Sequence, residues 1–77
     1  MPPGNTDYKY PSPVIADRIQ KIFNDNKLTD FKVAAALKCD RKAMFNYRHA
    51  LTNPSVKFIR YICATYHVDA NWLLDIR

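Results

Sequence analysis

The chain has one glycine among its 77 residues, Gly4, close to the start. Phosphate-cradling loops, dinucleotide fingerprints and GXXG nucleic-acid clamps all need glycine within the fold, where the backbone must meet a ligand closely. None of them fits here. Glutamate is absent, which removes zinc helices of the HExxH kind and calcium loops closed by glutamate. The two cysteines, Cys39 and Cys63, are too few for a disulfide scaffold and lack the paired spacing of a zinc site. Both occupy apolar positions and are expected to be buried thiols. His49 and His67 stand far apart without evident ligand partners, so no metal is expected. No apolar run approaches the roughly 20 residues of a membrane span, and no signal-peptide pattern opens the chain. A reduced, cytoplasmic protein with no cofactor, no membrane contact and no small-molecule substrate is the expectation. No nucleophile or acid–base constellation emerges either, which argues against an enzyme.

What is present describes one small domain. A chain of this length buries only about 60% of its unfolded surface, and its net stability is expected at roughly 3–5 kcal/mol. Its residues are 48% hydrophobic and 25% charged, ordinary for a globular protein and unlike a disordered one. The net charge is +5. It is concentrated: residues 38–60 hold Lys38, Arg41, Lys42, Arg48, Lys57 and Arg60 against Asp40 alone, while the flanking segments cancel. A charge run is usually just a solvated surface, but this one overlaps a structural pattern and points to an anionic partner.

Residues 1–12 carry Pro2, Pro3, Pro11 and the glycine, and read as a disordered tail with Lys9 as its sole cation. Ser12 followed by Pro13 is a helix start. Ile15, Ile19, Ile22 and Phe23 then recur at helical spacing to near Asn26, and Leu28 plugs the turn. Thr29 caps a helix over residues 30–37, with Val33, Ala34 and Leu37 inward. Lys38, Cys39 and Asp40 form a tight turn, and Asp40 caps a third helix over 41–50, with Met44 and Tyr47 inward. Ser55 caps a fourth over about 56–66, with Val56, Ile59, Ile62, Cys63 and Tyr66 inward. Val68 plugs the next turn, and Asp69 caps a short last helix with Trp72, Leu73 and Ile76 as candidate core. Phe58, Tyr61, Trp72 and Leu74 are candidates for exposed apolar surface, and a patch at Trp72 would serve a homodimer. The prediction is an all-α, compact five-helix bundle without strands.

Two short helices joined by a three-residue turn form a helix-turn-helix unit, whose second helix can enter the DNA major groove. At this point the chain resembles the DNA-binding domain of phage repressors and Cro, the XRE-like, lambda repressor-like family. The stretches that carry the resemblance are RIQKIFNDNKLT, VAAALKCDRKAMFNYRHALTNPS and FIRYICATYHVDANWLLDI. The ending NWLL after Val68-Asp69 is similar to phage repressors of the CI type. The resemblance implies a domain over residues 13–77, with Ala34 between the central helices and Leu37, Met44 and Tyr47 in the core. Two residues depart from the pattern. Lys38 stands where the family usually has a left-handed glycine, a geometry that costs a lysine roughly 1–2 kcal/mol. Asp30 stands where a phosphate-touching glutamine is common, and an ionised carboxylate repels phosphate. A helix start does favour an acid, so Asp30 is left out of the contact set.

The resemblance implies a transcriptional regulator that binds double-stranded DNA, most readily a repressor of phage or mobile-element type. Arg41 and Lys42 would reach guanine O6 and N7, and Asn46 would pair with an adenine edge. Phe45 would meet a thymine methyl group or pack within the fold. Lys38, Arg48, His49, Asn53 and Lys57, with the helix starts at Thr29 and Ser55, would hold phosphates. About five neutralised phosphates would give log K against log salt a slope of about −4 to −5. Such a domain reads a short half-site, so a dimer on a near-palindrome is expected. The rival reading is a protein-interaction or antitoxin-like module on the same fold without sequence-specific DNA binding.

Overall fold

Five polar side chains start five helices. In the computed structural model, which describes residues 12–76, Ser12, Thr29, Asp40, Ser55 and Asp69 each sit in extended backbone and accept a hydrogen bond from an amide two or three residues on. The helices that follow are α1 (Pro13–Asp25), α2 (Asp30–Leu37), α3 (Arg41–Arg48), α4 (Val56–Tyr66) and α5 (Ala70–Leu73). Each cap satisfies an amide that the helix itself leaves without a partner. The fold is an all-α five-helix bundle, as the sequence predicts. Helix α3 ends two residues short of the predicted position 50, and α5 is a single turn. The predicted tail lies outside the described residues, Ser12 excepted. No helix among the described residues is long and apolar enough to cross a membrane.

The core is assembled from Ile19, Ile22 and Phe23 of α1, Val33, Ala34 and Leu37 of α2, Met44 of α3, Phe58 and Ile62 of α4, and Leu73 of α5. Helix α2 packs chiefly on α3, and α1 reaches both α3 and α5. Ala34 is buried at the crowded centre, where a larger side chain would push neighbouring helices apart. The register of α4 differs from the prediction. Phe58 is fully buried and packs against Tyr47 with the rings tilted at 57° and their centres 4.8 Å apart, whereas Val56 is 73% exposed. Both stripes share Ile59, Ile62 and Tyr66, so periodicity alone does not choose between them. Burying the larger ring wins, because it removes more apolar area from water. Tyr61 and Leu74 are half-buried rather than exposed. Ile76 and Trp72, both candidate core residues, are exposed. Trp72 instead carries the Arg18 guanidinium 5.2 Å from its ring centre, and Arg18 also pairs with Asp75 and donates to the Trp72 carbonyl. Cys39, expected to be buried, is exposed in the turn, and Cys63 is half-buried.

The helix ends show what a fold without internal glycine must do. Every helix is followed within two residues by a residue at positive φ: Lys27, Lys38, Ala50, His67 and Asp75, all between 55° and 59°. At each end the next amide reaches back five residues, as in Leu28 N–H to the Phe23 carbonyl (2.8 Å) and Leu51 N–H to the Asn46 carbonyl (2.9 Å). Cys39 to Ala34, Val68 to Cys63 and Ile76 to Asn71 repeat the bond. This is the Schellman arrangement, in which glycine is the usual left-handed residue. Lys38 does take the left-handed geometry, at φ 57° and ψ 47°.

The Cβ at each such position costs roughly 1–2 kcal/mol, partly offset because a glycine loses more freedom on folding. Ala50→Gly and His67→Gly are therefore each expected to stabilise the fold by about 0.5–1 kcal/mol. A rise in the urea midpoint at unchanged slope would register it. A fall at both positions would contradict the strain.

Candidate nucleic-acid interface

Helix α3 buries only Met44 completely and half-buries Ala43, Asn46, Tyr47 and Arg48. Arg41, Lys42, Phe45 and His49 are exposed along its other side. The Phe45 and His49 rings, one helical turn apart, lie tilted at 33° with their centres 4.1 Å apart. Asn46 sits at the edge of this side, and its amide makes no hydrogen bond among the described residues. Of the four expected base-reading residues, Arg41, Lys42 and Phe45 thus share the outward face, and Asn46 borders it. Arg41 and Lys42 pair with no carboxylate among the described residues.

Arg48, an expected phosphate contact, is engaged within the fold. Its Nε and one terminal nitrogen donate to the two Asp30 carboxylate oxygens at 2.7 and 2.6 Å. The other terminal nitrogen donates to Gln20 Oε1 at 2.9 Å. The guanidinium also lies 5.6 Å from the Phe23 ring centre and 5.9 Å from that of Phe45. Its side chain keeps 17% of its exposure and that of Asp30 22%, so the fork is largely shielded from water. The pairing explains the acid at the start of α2, since the charge that would repel phosphate is neutralised by Arg48. Lys57 is engaged too. Its Nζ donates to the Leu37 carbonyl at 2.8 Å, placing a cation at the C-terminal end of α2, where the helix dipole favours it.

The remaining expected phosphate contacts are exposed. Lys38 lies in the turn, His49 ends α3, and Asn53 lies in the loop before α4. The Thr29 and Ser55 oxygens accept from the Lys32 and Phe58 amides at 3.1 Å each, which leaves each hydroxyl hydrogen for another acceptor. Thr29, Arg41, Lys42 and Phe45 meet along one shallow groove with Asp30 and Phe31. Asn53, Ser55 and Lys57 do not line it.

Phe31 is not marked as a contact residue by the sequence pattern. It is 65% exposed, and the Arg41 guanidinium lies 5.9 Å from its ring centre. A phenylalanine off the Val33–Ala34–Leu37 stripe was the signal available. Cys39 flanks the same region, in a neighbouring hollow with Phe31, Ala34, Ala35, Asp40 and Arg41. No protein-family model, no curated protein and no solved structure matches the chain.

Two expectations follow from this geometry. Arg48→Ala leaves the Asp30 carboxylate in a half-buried site without its partner and is expected to cost about 2–3 kcal/mol in urea unfolding. Arg60→Ala, on an exposed side chain, should stay within about 0.5 kcal/mol. Equal effects would mean that the fork contributes nothing. The thiols should also separate. Burial and the nearby Asp69 charge both push the Cys63 thiol up, whereas Cys39 is exposed. Thiolate is the reactive form, so mass spectrometry should find an alkylating reagent on Cys39 well before Cys63. The reverse order would contradict this placement.

Proposed function

We propose that the chain binds double-stranded DNA sequence-specifically through α3 and regulates transcription, as a repressor of phage or mobile-element type. The observation that carries this reading is the row of Arg41, Lys42 and Phe45 on the outward face of α3, two of them cations without a carboxylate partner among the described residues. The other α3 cation, Arg48, is held by Asp30 and Gln20. On this reading α3 enters the major groove by its N-terminal end. Arg41 forks onto guanine, Lys42 reaches a base acceptor, and Phe45 meets a thymine methyl group. Asn46 reads an adenine edge from the border of the face. Lys38, His49 and Asn53 touch phosphates, and the Thr29 and Ser55 hydroxyls donate to others. Two such heads on a near-palindrome form the working unit.

A second reading has a specific observation in its favour. Phe31, Phe45, Leu51 and Val56 are all exposed apolar side chains. A protein-interaction or antitoxin-like module would use such apolar surface, and would lose partner binding on Phe45, Tyr61 or Trp72 substitution while ignoring Arg41→Ala and Asn46→Ala.

Selection of bound sites from random duplex DNA separates the two. An enriched half-site is expected, and Asn46→Ala should relax preference at one base position while keeping non-specific affinity. With Arg48 neutralised by Asp30 and Lys57 held at the Leu37 carbonyl, Lys38, Arg41 and Lys42 remain to offset about three phosphate charges, and log K against log salt should fall with a slope of about −3. The absence of any enriched site at low salt would sink sequence-specific binding, and a slope near zero would remove the electrostatic part.

A further inference from the structure

Phe31 and Arg41 come from different helices and line one groove. The guanidinium lies over the Phe31 ring, within the roughly 6 Å at which a cation is attracted to an aromatic face. Thr29, Lys42 and Phe45 complete the walls. Arg48 neutralises Asp30, so the groove is positive, with two phenyl rings exposed in it. Its occupant must bring negative charge, acceptor atoms for Arg41 and Lys42, and a small apolar group for the rings. The major groove of a duplex offers all three where thymine stands beside guanine: guanine presents O6 and N7, and thymine presents O4 and its C5-methyl group. Cytosine would put an amino donor before two cations, and no methyl group before the rings.

We propose that Phe31 is a specificity-determining residue, and that this groove takes a thymine–guanine step of duplex DNA. The inference rests on the DNA-binding reading above and adds a reader that lies outside α3. The Phe31 ring supports one face of the Arg41 guanidinium, so that the N–H edge is presented to guanine with less freedom to lose. The thymine methyl group seats on the ring surface beside it, and Lys42 donates to thymine O4.

The test begins with the duplex selected by the wild-type protein and replaces each thymine by uracil in turn, which removes one methyl group and nothing else. At the thymine beside guanine the wild type should lose about fourfold in affinity, the value of one buried methyl group. Phe31→Ala should bind the thymine and uracil duplexes equally at an unchanged salt slope, and Phe31→Leu should fall between. Phe31 is exposed, and thermal unfolding checks that each variant is folded. Equal binding of every uracil duplex by the wild type would overturn the assignment, as would discrimination kept by Phe31→Ala. Either result leaves the DNA-binding reading standing. Failure to select any duplex would overturn that reading, and the role of Phe31 with it.

Discussion

The Arg48 guanidinium joins three helices through three hydrogen bonds: it holds Asp30 at the start of α2, Gln20 in α1, and by its own backbone the end of α3. It adds a polar tie to the apolar packing of α3, whose Met44 is fully buried with Ala43 and Tyr47 packed beside it against the core. The Tyr47–Phe58 contact restrains one side. The planar fork restrains the other, because two parallel hydrogen bonds to a carboxylate define a direction as well as a distance. Arg41, Lys42 and Phe45 face outward as a result. A charge that looks like part of a binding surface is thus the part that aims the surface.

Much of this was legible from the chain alone, and the reason is local chemistry. The helix starts could be read because Ser12, Thr29, Asp40, Ser55 and Asp69 each act within a few residues of themselves. The buried faces of α1 and α2 could be read because their apolar residues form one stripe without a rival. Helix α4 offers two overlapping stripes, and only the rings packed against it decide that Phe58 is buried and Val56 exposed. The roles of Arg48 and Lys57 were not legible for a different reason. Their partners lie 18 and 20 residues away, and nothing in a linear pattern marks such pairs. Phe31 is not legible as a contact residue, because no periodicity marks a lone aromatic outside the stripe.

The electrostatic picture changes accordingly. The net charge of +5 sits on paper in one segment, yet two of its six cations serve the fold. The cations left on the turn and the start of α3 are few and close together, beside exposed aromatic rings. On the proposed DNA-binding reading, such a surface relies less on bulk attraction and more on placement. Asp30 follows the same logic: read alone it argues against an anionic partner, and read with Arg48 it contributes almost no field.

The five left-handed helix ends have a consequence for how the molecule moves. Strain stored at the joints lowers the free energy of opening there relative to the helices between them. Fluctuations are therefore expected to begin at these joints. Amides just past each helix end would exchange with solvent through small local openings, while those of Ile19, Ile22 and Ile62 wait for global unfolding. A fold with no glycine among its described residues sets its own hinges by steric cost.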